Sequence, residues 1–395
     1  MRSVPEHQGV VAGLIAARAP ESVPVSDALS LVLAADVVAP LSLPGFDNSA
    51  MDGYAVHVED VTAASDEEPV RLPVAEDIPA GRTDALTLAP GTAHRIMTGA
   101  PLPAGATAVV PVEATDGGTD TVTIRATARD GQHVRRAGED VAAGTTVLTA
   151  GQRLTPAALG LVAALGLGEV SVVPRQRVLV MSTGSELVAP GTPLLPGQIY
   201  ESNAVMLAAA VRDAGGEVVT VAMTSDDVPT FRAALERHAA DADLIVSTGG
   251  VSAGAYEVVK DSLADDVDFV KVAMQPGMPQ GSGRVFGTPI VTLPGNPVSA
   301  LVSFEVFVRT PLRAAMGLPS PERPVRTATL TESLTSPKGR RQFRRGVLDG
   351  GAVTSYGPPA SHHLRWLASA NCLLEIDEDV TDIAEGSAVR VWDLR

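Results

Sequence analysis

The chain has 395 residues, of which 30 are Lys or Arg and 46 are Asp or Glu, for a formal net charge of −16. Its 45% hydrophobic content excludes wholesale disorder, and with only 3% aromatic residues the cores must be built from Ala, Val, Leu and Ile. The acidic balance excludes a general nucleic-acid binder, the single Cys372 excludes an internal disulfide and a cysteine-based metal site, and no run of about 18 uncharged apolar residues offers a membrane span.

At roughly 100–200 residues per domain, two to four domains are expected. The opening MRSVPEHQGV lacks the charged-then-apolar pattern of a secretory signal, so a cytoplasmic protein is expected. Residues 1–172 start with an apolar-periodic stretch, Val10–Ala17, and a second helical stretch, Val25–Ala35, with Ser26 or Asp27 as N-cap. From about residue 53 to 132 the texture changes to short strand-like runs between Pro, Gly and Asp: VRLPVAEDI, GTAHRIM, ATAVVPVEA and DTVTIRATA. An alanine-rich helix over Pro156–Leu165 follows, ended by Gly166. The pattern predicts a helical region with an inserted β lobe.

Residues 173–318 alternate apolar strands with helices. RQRVLVMST, EVVTVAM, DLIVSTGG, DFVKVAM and PIVTLPG read as strands, while SNAVMLAAAVRDAGG, DDVPTFRAALERHAA and NPVSALVSFEVFVRTPLRAA read as helices. Strands apolar throughout predict a mostly parallel sheet covered on both faces, and such folds bind ligands at the carboxyl ends of their strands. Residues 319–395 are strand-rich and predict a small β-barrel or sandwich. That last stretch holds ten basic and ten acidic residues, so the whole net charge lies before Pro319.

Three strands of the middle region open into polar, glycine-rich segments: STGSEL (182–187), STGGVSAG (247–254) and LPGNPVSA (293–300). One such segment is commonly a tight turn. Three in one sheet point to an anion-binding crevice, because glycines let backbone N–H groups approach an oxyanion and helix N-termini favour negative charge. None matches GxxxxGK[ST] or GxGxxG, so a conventional kinase or dehydrogenase is not expected.

These three segments together resemble the molybdopterin-binding domain of molybdenum cofactor biosynthesis proteins. FDNSAMDGYAV (46–56), RIMTGAPLPAGATAVVP (95–111) and RRAGEDVAAG (135–144) resemble the MoeA family of molybdopterin molybdenumtransferases, also represented by the E domain of gephyrin. The match runs in order across nearly the whole chain, and FDNSAMDGYA is its most specific element. It implies a multidomain α/β and β fold: a helical N-terminal region (1–172) with an inserted β lobe, a three-layer α/β molybdopterin-binding domain (173–318) with a mostly parallel sheet, and a small C-terminal β-barrel-like domain (319–395). It further implies a molybdenum insertase that hydrolyses adenylylated molybdopterin and inserts molybdate into the dithiolene with Mg2+. The implied assembly is a homodimer, its cleft formed by the α/β domain of one subunit and the first region of the other, with other molybdenum cofactor biosynthesis proteins as partners. Two alternatives stand beside it. Molybdopterin adenylyltransferase shares the α/β domain but does not require the first region; a carrier or scaffold paralogue would bind molybdopterin with lost or altered insertion.

Splitting a phosphoanhydride needs oxygen ligands for a hard cation and a positioned water. By the resemblance, Asp52, Thr98, Asp140 and Glu186 are catalytic, and Asp52, Asp140, Glu186 and Glu257 are the Mg2+ ligands. The same resemblance implies that Ser182, Thr183, Gly184, Ser247, Gly249, Gly250, Ser252, Pro294, Gly295, Asn296, Pro297 and Ser299 hold pterin and phosphates, and that Arg345 and Ser369 hold molybdate. Glu257 stands where the family usually has aspartate, and Gln275 and Met278 stand where many relatives carry lysine. The cations of KGRRQFRRG (338–346) are the expected compensation. Some residues have simpler local readings: Asp226 and Asp227 as helix N-caps, Glu186 as a first-turn helix acid, Asn48 and Ser49 as turn formers. The His362–His363 pair is not expected to bind metal, since neighbouring residues on a strand diverge.

Overall fold

The computed structural model describes residues 1–225, 227–250 and 258–395, so Asp226, Ser252 and Glu257 lie outside the described residues. The first helix, Val4–Leu14, begins six residues before the expected stretch because Ser3 and Glu6 form a capping box. It buries Val4, His7 and Val11, and the His7 ring stands edge-on to Phe307 at 4.7 Å.

The helix expected over Val25–Ala35 does not form. A single 3-10 turn, Val25–Asp27, is followed by the strand Val32–Leu33, which pairs antiparallel with Val172–Val173. Local propensity yields to a partner about 140 residues away. From there the chain leaves and returns by nested antiparallel pairings: Glu21–Pro24 with Glu169–Val173, Val37–Val38 with Thr146–Leu148, and Asn48–Ser49 with Val134–Arg135. Enclosed by them is a five-stranded sheet ordered Ala108–Pro111, Gly53–Val56, Ala93–Ile96, Val70–Ile78, Thr121–Ile124. Nesting of this kind is how a lobe is inserted without disturbing its host.

The central sheet has six strands in the order Glu217–Thr224, Arg177–Thr183, Leu244–Thr248, Thr288–Leu293, Pro279–Val285, Val267–Lys271. Its first four strands are parallel, and Pro279–Val285 runs antiparallel to both its neighbours, so Val267–Lys271 again points with the first four. Pro279–Val285 carries little strand propensity; it is recruited by a two-residue turn at Phe286 and Gly287, both with positive φ. Alternate residues serve opposite faces. Val180, Val246 and Val291 pack with Leu207, Val211 and Val302, whereas Leu179, Ile245 and Ile290 pack with Phe231, Leu235 and Val259. Three layers follow, with each fully buried aliphatic side chain contributing roughly 1.5–3 kcal/mol.

The long helical stretch after Asn296 is a composite of Pro297–Ser303, a π turn Phe304–Val308, and Arg309–Ala315. Glu305 is 4% exposed within it, and Arg323 bonds both its carboxylate oxygens at 2.9 and 3.0 Å. Arg309 and Arg323 meet at Asp213, at 2.7 and 3.1 Å, tying the α/β layer to the linker that follows it.

The C-terminal strands Arg341–Asp349, Ala352–Ser355, Val325–Leu330, Ala388–Asp393 and Cys372–Ile376 close on themselves, since the last also pairs with the first. A closed barrel leaves no free edge. Cys372 is fully buried in its core, and burial pushes its thiol up to about 12. Met274–Gln275 adds a parallel pairing onto the start of Arg341–Asp349, joining barrel to α/β layer. Among the described residues no helix is long and apolar enough to cross a membrane.

Candidate active site

A cavity of about 930 Å³ opens where the parallel strands end. Arg177–Thr183, Leu244–Thr248 and Thr288–Leu293 are neighbouring parallel strands, so the segments leaving their carboxyl ends must converge. Thr183, Gly184 and Glu186 come from the first, Thr248, Gly249 and Gly250 from the second, and Pro294, Gly295, Asn296, Pro297 and Ser299 from the third. Gly249 has φ +90°, and a Cβ there would lie 2.6 Å from the Thr183 carbonyl oxygen. Only glycine lets the second segment cross that closely. Ser182 and Ser247, expected at the same site, are buried and do not line it; among the described residues their hydroxyls have no hydrogen-bond partner.

Other lining residues were not read from the sequence. Glu201 and Asn203 flank the start of the helix Asn203–Asp213, and that helix is capped by Glu201 Oε1, which accepts from Ala204 N at 2.7 Å, rather than by Ser202. Asn203 Nδ2 donates to the Gly295 carbonyl at 2.6 Å, bracing the third segment. Asp227 does act as a helix cap: its Oδ2 accepts from Thr230 N at 2.9 Å.

The remaining acids lie elsewhere in the chain. Asp52 precedes Gly53–Val56 and Thr98 follows the paired strand Ala93–Ile96, so the two meet at one sheet end. Thr98 N and Oγ1 donate to Asp52 Oδ1 at 2.7 and 2.8 Å, and the Thr98 N–H first, then its hydroxyl, holds the carboxyl below its ordinary value. Ser49 Oγ accepts from Met51 N at 3.3 Å and donates to the Met51 carbonyl, so it shapes the turn before Asp52. Asp47 gathers the neighbouring motif: its carboxylate accepts from Arg136 at 2.7 Å and from Ala137 N at 2.8 Å. Asp140, exposed, follows in that motif, with its N–H on the Leu43 carbonyl. Asp52, Thr98 and Asp140 do not line the cavity, and among the described residues no three His, Cys, Asp or Glu groups gather as a metal set.

Residues 2–166 match the family described as "MoeA N-terminal region (domain I and II)", residues 179–314 the "Probable molybdopterin binding domain", and residues 327–394 the "MoeA C-terminal region (domain IV)". The chain is 70% identical over 404 residues to molybdopterin molybdenumtransferase 2 of Mycobacterium tuberculosis, covering all of both chains. The chain belongs to the MoeA family. It is also 34% identical over 376 residues to the molybdopterin molybdenumtransferase of Haemophilus influenzae, covering 93% of this chain and 92% of that one. Among solved structures, the molybdopterin biosynthesis MoeA protein from Pyrococcus horikosii superposes with a TM-score of 0.82 at 31% identity, covering 100% of this chain and 99% of that one.

In this MoeA chain the basic stretch 338–346 is not an open loop. Arg341 pairs with Glu375, Asp377 and Glu378 at 3.2, 3.4 and 3.0 Å, and Arg344 donates to the Thr335 carbonyl. Arg345 is 4% exposed, and its guanidinium donates to the carbonyls of Pro358, Ala360 and His363. Burial, and then neighbouring Arg344, lowers its pKa. Ser369 is exposed, with its hydroxyl on the Arg365 carbonyl, and does not line the cavity. What the barrel does bring to the cavity is Pro359, Ala360, Ser361 and His362. Gln275 lines it too, and among the described lining residues none is Lys or Arg.

Proposed function

We propose that this MoeA chain is a molybdopterin molybdenumtransferase that hydrolyses adenylylated molybdopterin and inserts molybdate into the dithiolene. One observation carries the reading: three glycine- and hydroxyl-rich segments leave adjacent parallel strands and line one 930 Å³ cavity. Such a wall suits a phosphoanhydride, because N–H-rich loops bind anions without needing a fixed counter-charge. The two M. tuberculosis and H. influenzae relatives carry the molybdenumtransferase name, which supports the same activity here.

Mg2+ belongs to the proposal as the ion that would neutralise the phosphates. Among the described residues the carboxylates of a single chain do not fit it: Glu186 lines the cavity while Asp52 and Asp140 do not. A homodimer, in which Asp52 and Asp140 of one chain approach Glu186 of the other, is the assembly under which those acids act together. In it Asp52, held ionised by Thr98, would position water, while Thr183, Gly249 and Ser299 would hold the anion.

Incubation of the protein with adenylylated molybdopterin, Mg2+ and molybdate tests the reading, with AMP release and active cofactor as the expected products. Gln275 in the cavity wall favours one second reading, a molybdopterin carrier with altered insertion. Tight binding without AMP release would establish that reading instead.

A further inference from the structure

Resting on the assignment of the cavity as the substrate site, we propose that His362 is the basic contact for the bound oxyanion, and that Arg345 serves it as a positioning residue. The cavity presents two carboxylates, Glu186 and Glu201, and among its described lining residues His362 is the one basic side chain. Glu201 is engaged at Ala204 N, but its charge still opposes an anion. An anion held there gains most from a donor on the wall, and an imidazole offers one N–H when neutral and two when protonated.

The loop that carries His362 is built to hold it. Arg345, on a barrel strand, directs its terminal nitrogens at three carbonyls of that loop: Pro358, Ala360 at 3.1 Å and His363 at 3.3 Å. From the other side Val298 N donates to the Ser361 carbonyl at 3.1 Å, fastening the loop to the helix Pro297–Ser303. The His363 ring backs His362 edge-on, with centroids 4.3 Å apart. A buried guanidinium aimed at carbonyls shapes the loop that carries the imidazole and leaves anion contact to that imidazole. Local sequence hides this division: the hairpin of Arg341–Asp349 with Ala352–Ser355 sets Arg345 beside Tyr356 at the start of the loop, and the Val298 contact docks that loop on the α/β layer.

The test is calorimetric titration of full-length protein with inorganic pyrophosphate and Mg2+, alongside AMP release from adenylylated molybdopterin. His362→Ala should lower pyrophosphate affinity by about 10- to 100-fold, the range for loss of one charge-assisted bond. In AMP release the same change should raise KM and leave kcat nearly unchanged. Arg345→Lys keeps the charge but cannot span three carbonyls, and should weaken binding while the fold persists. The double variant His362→Ala/Arg345→Lys should lose no more than His362→Ala alone, because one residue acts through the other. Wild-type affinity in His362→Ala, losses that multiply in the double variant, or no pyrophosphate binding by the wild type would each overturn the proposal. If His362→Ala weakens binding but the wild type releases no AMP, the reaction assignment fails and the anion contact stands.

Discussion

Thr98 donates twice to a single oxygen of Asp52, from its backbone N–H at 2.7 Å and from its hydroxyl at 2.8 Å. The pair spans 46 residues of sequence and closes one end of the strand pairing Gly53↔Ile96. Both donors favour the ionised carboxyl, so its pKa falls below the ordinary value. A depressed carboxyl keeps its charge to lower pH, and whatever it contributes is lost only as pH falls through that depressed value.

Asp52→Asn should therefore reduce AMP release by about 100-fold or more if Asp52 positions the water. Thr98→Val removes one donor, so the acidic limb of the AMP-release profile should move to higher pH, and Thr98→Ser should restore it. An unmoved acidic limb in Thr98→Val would show that Asp52 does not set it.

His7 gives a stability prediction with a defined sign. Burial, followed by Arg2, lowers its pKa from 6.5 to about 4, and its ring packs edge-on against Phe307. The unfolded chain takes up the proton first, so stability is complete above pH 6.5, falls between 6.5 and 4, and levels below 4. The whole excursion is on the order of 3 kcal/mol. Urea midpoints for wild type and His7→Gln should diverge in slope between pH 4 and 6.5; parallel curves would mean the imidazole is hydrated.

Glu305 and Arg323 have side chains 5% and 11% exposed. Glu305→Gln leaves the cationic cluster of Arg309 and Arg323 short of its buried counter-charge, so urea denaturation should show a loss of about 3–5 kcal/mol. Replacing the pair by Leu and Met should recover most of that loss. A change under about 1 kcal/mol in Glu305→Gln would place the pair with solvent-screened surface bridges.

Gly249→Ala forces a side chain at φ +90° and sets its Cβ 2.6 Å from the Thr183 carbonyl oxygen. The backbone strain alone costs on the order of 1–3 kcal/mol, and relief requires the Thr183 segment to move. Pyrophosphate affinity should fall by more than about tenfold while the barrel's near-UV signal from Trp392 is kept. Unchanged affinity would separate the crossing of these segments from ligand binding.

The sequence by itself determined the family, the order of lobe, α/β layer and barrel, and the end of the sheet where the cavity opens. Those properties rest on local pattern: the strand Val70–Ile78 ends where its composition says, and apolar runs covered on both faces force a parallel sheet whose loops converge. Tertiary structure decided what depends on distant partners. Val32–Leu33 became a strand because Val172–Val173 lies beside it. Arg341 is taken by Glu375, Asp377 and Glu378 because the strand Arg341–Asp349 pairs with Cys372–Ile376. The hairpin of Arg341–Asp349 with Ala352–Ser355 set Arg345 against the carbonyls of the following loop, and the docking of that loop on Val298 set His362 at the cavity wall. A charge in a sequence has a sign; only the fold supplies the neighbour that decides whether it meets a ligand or its own chain.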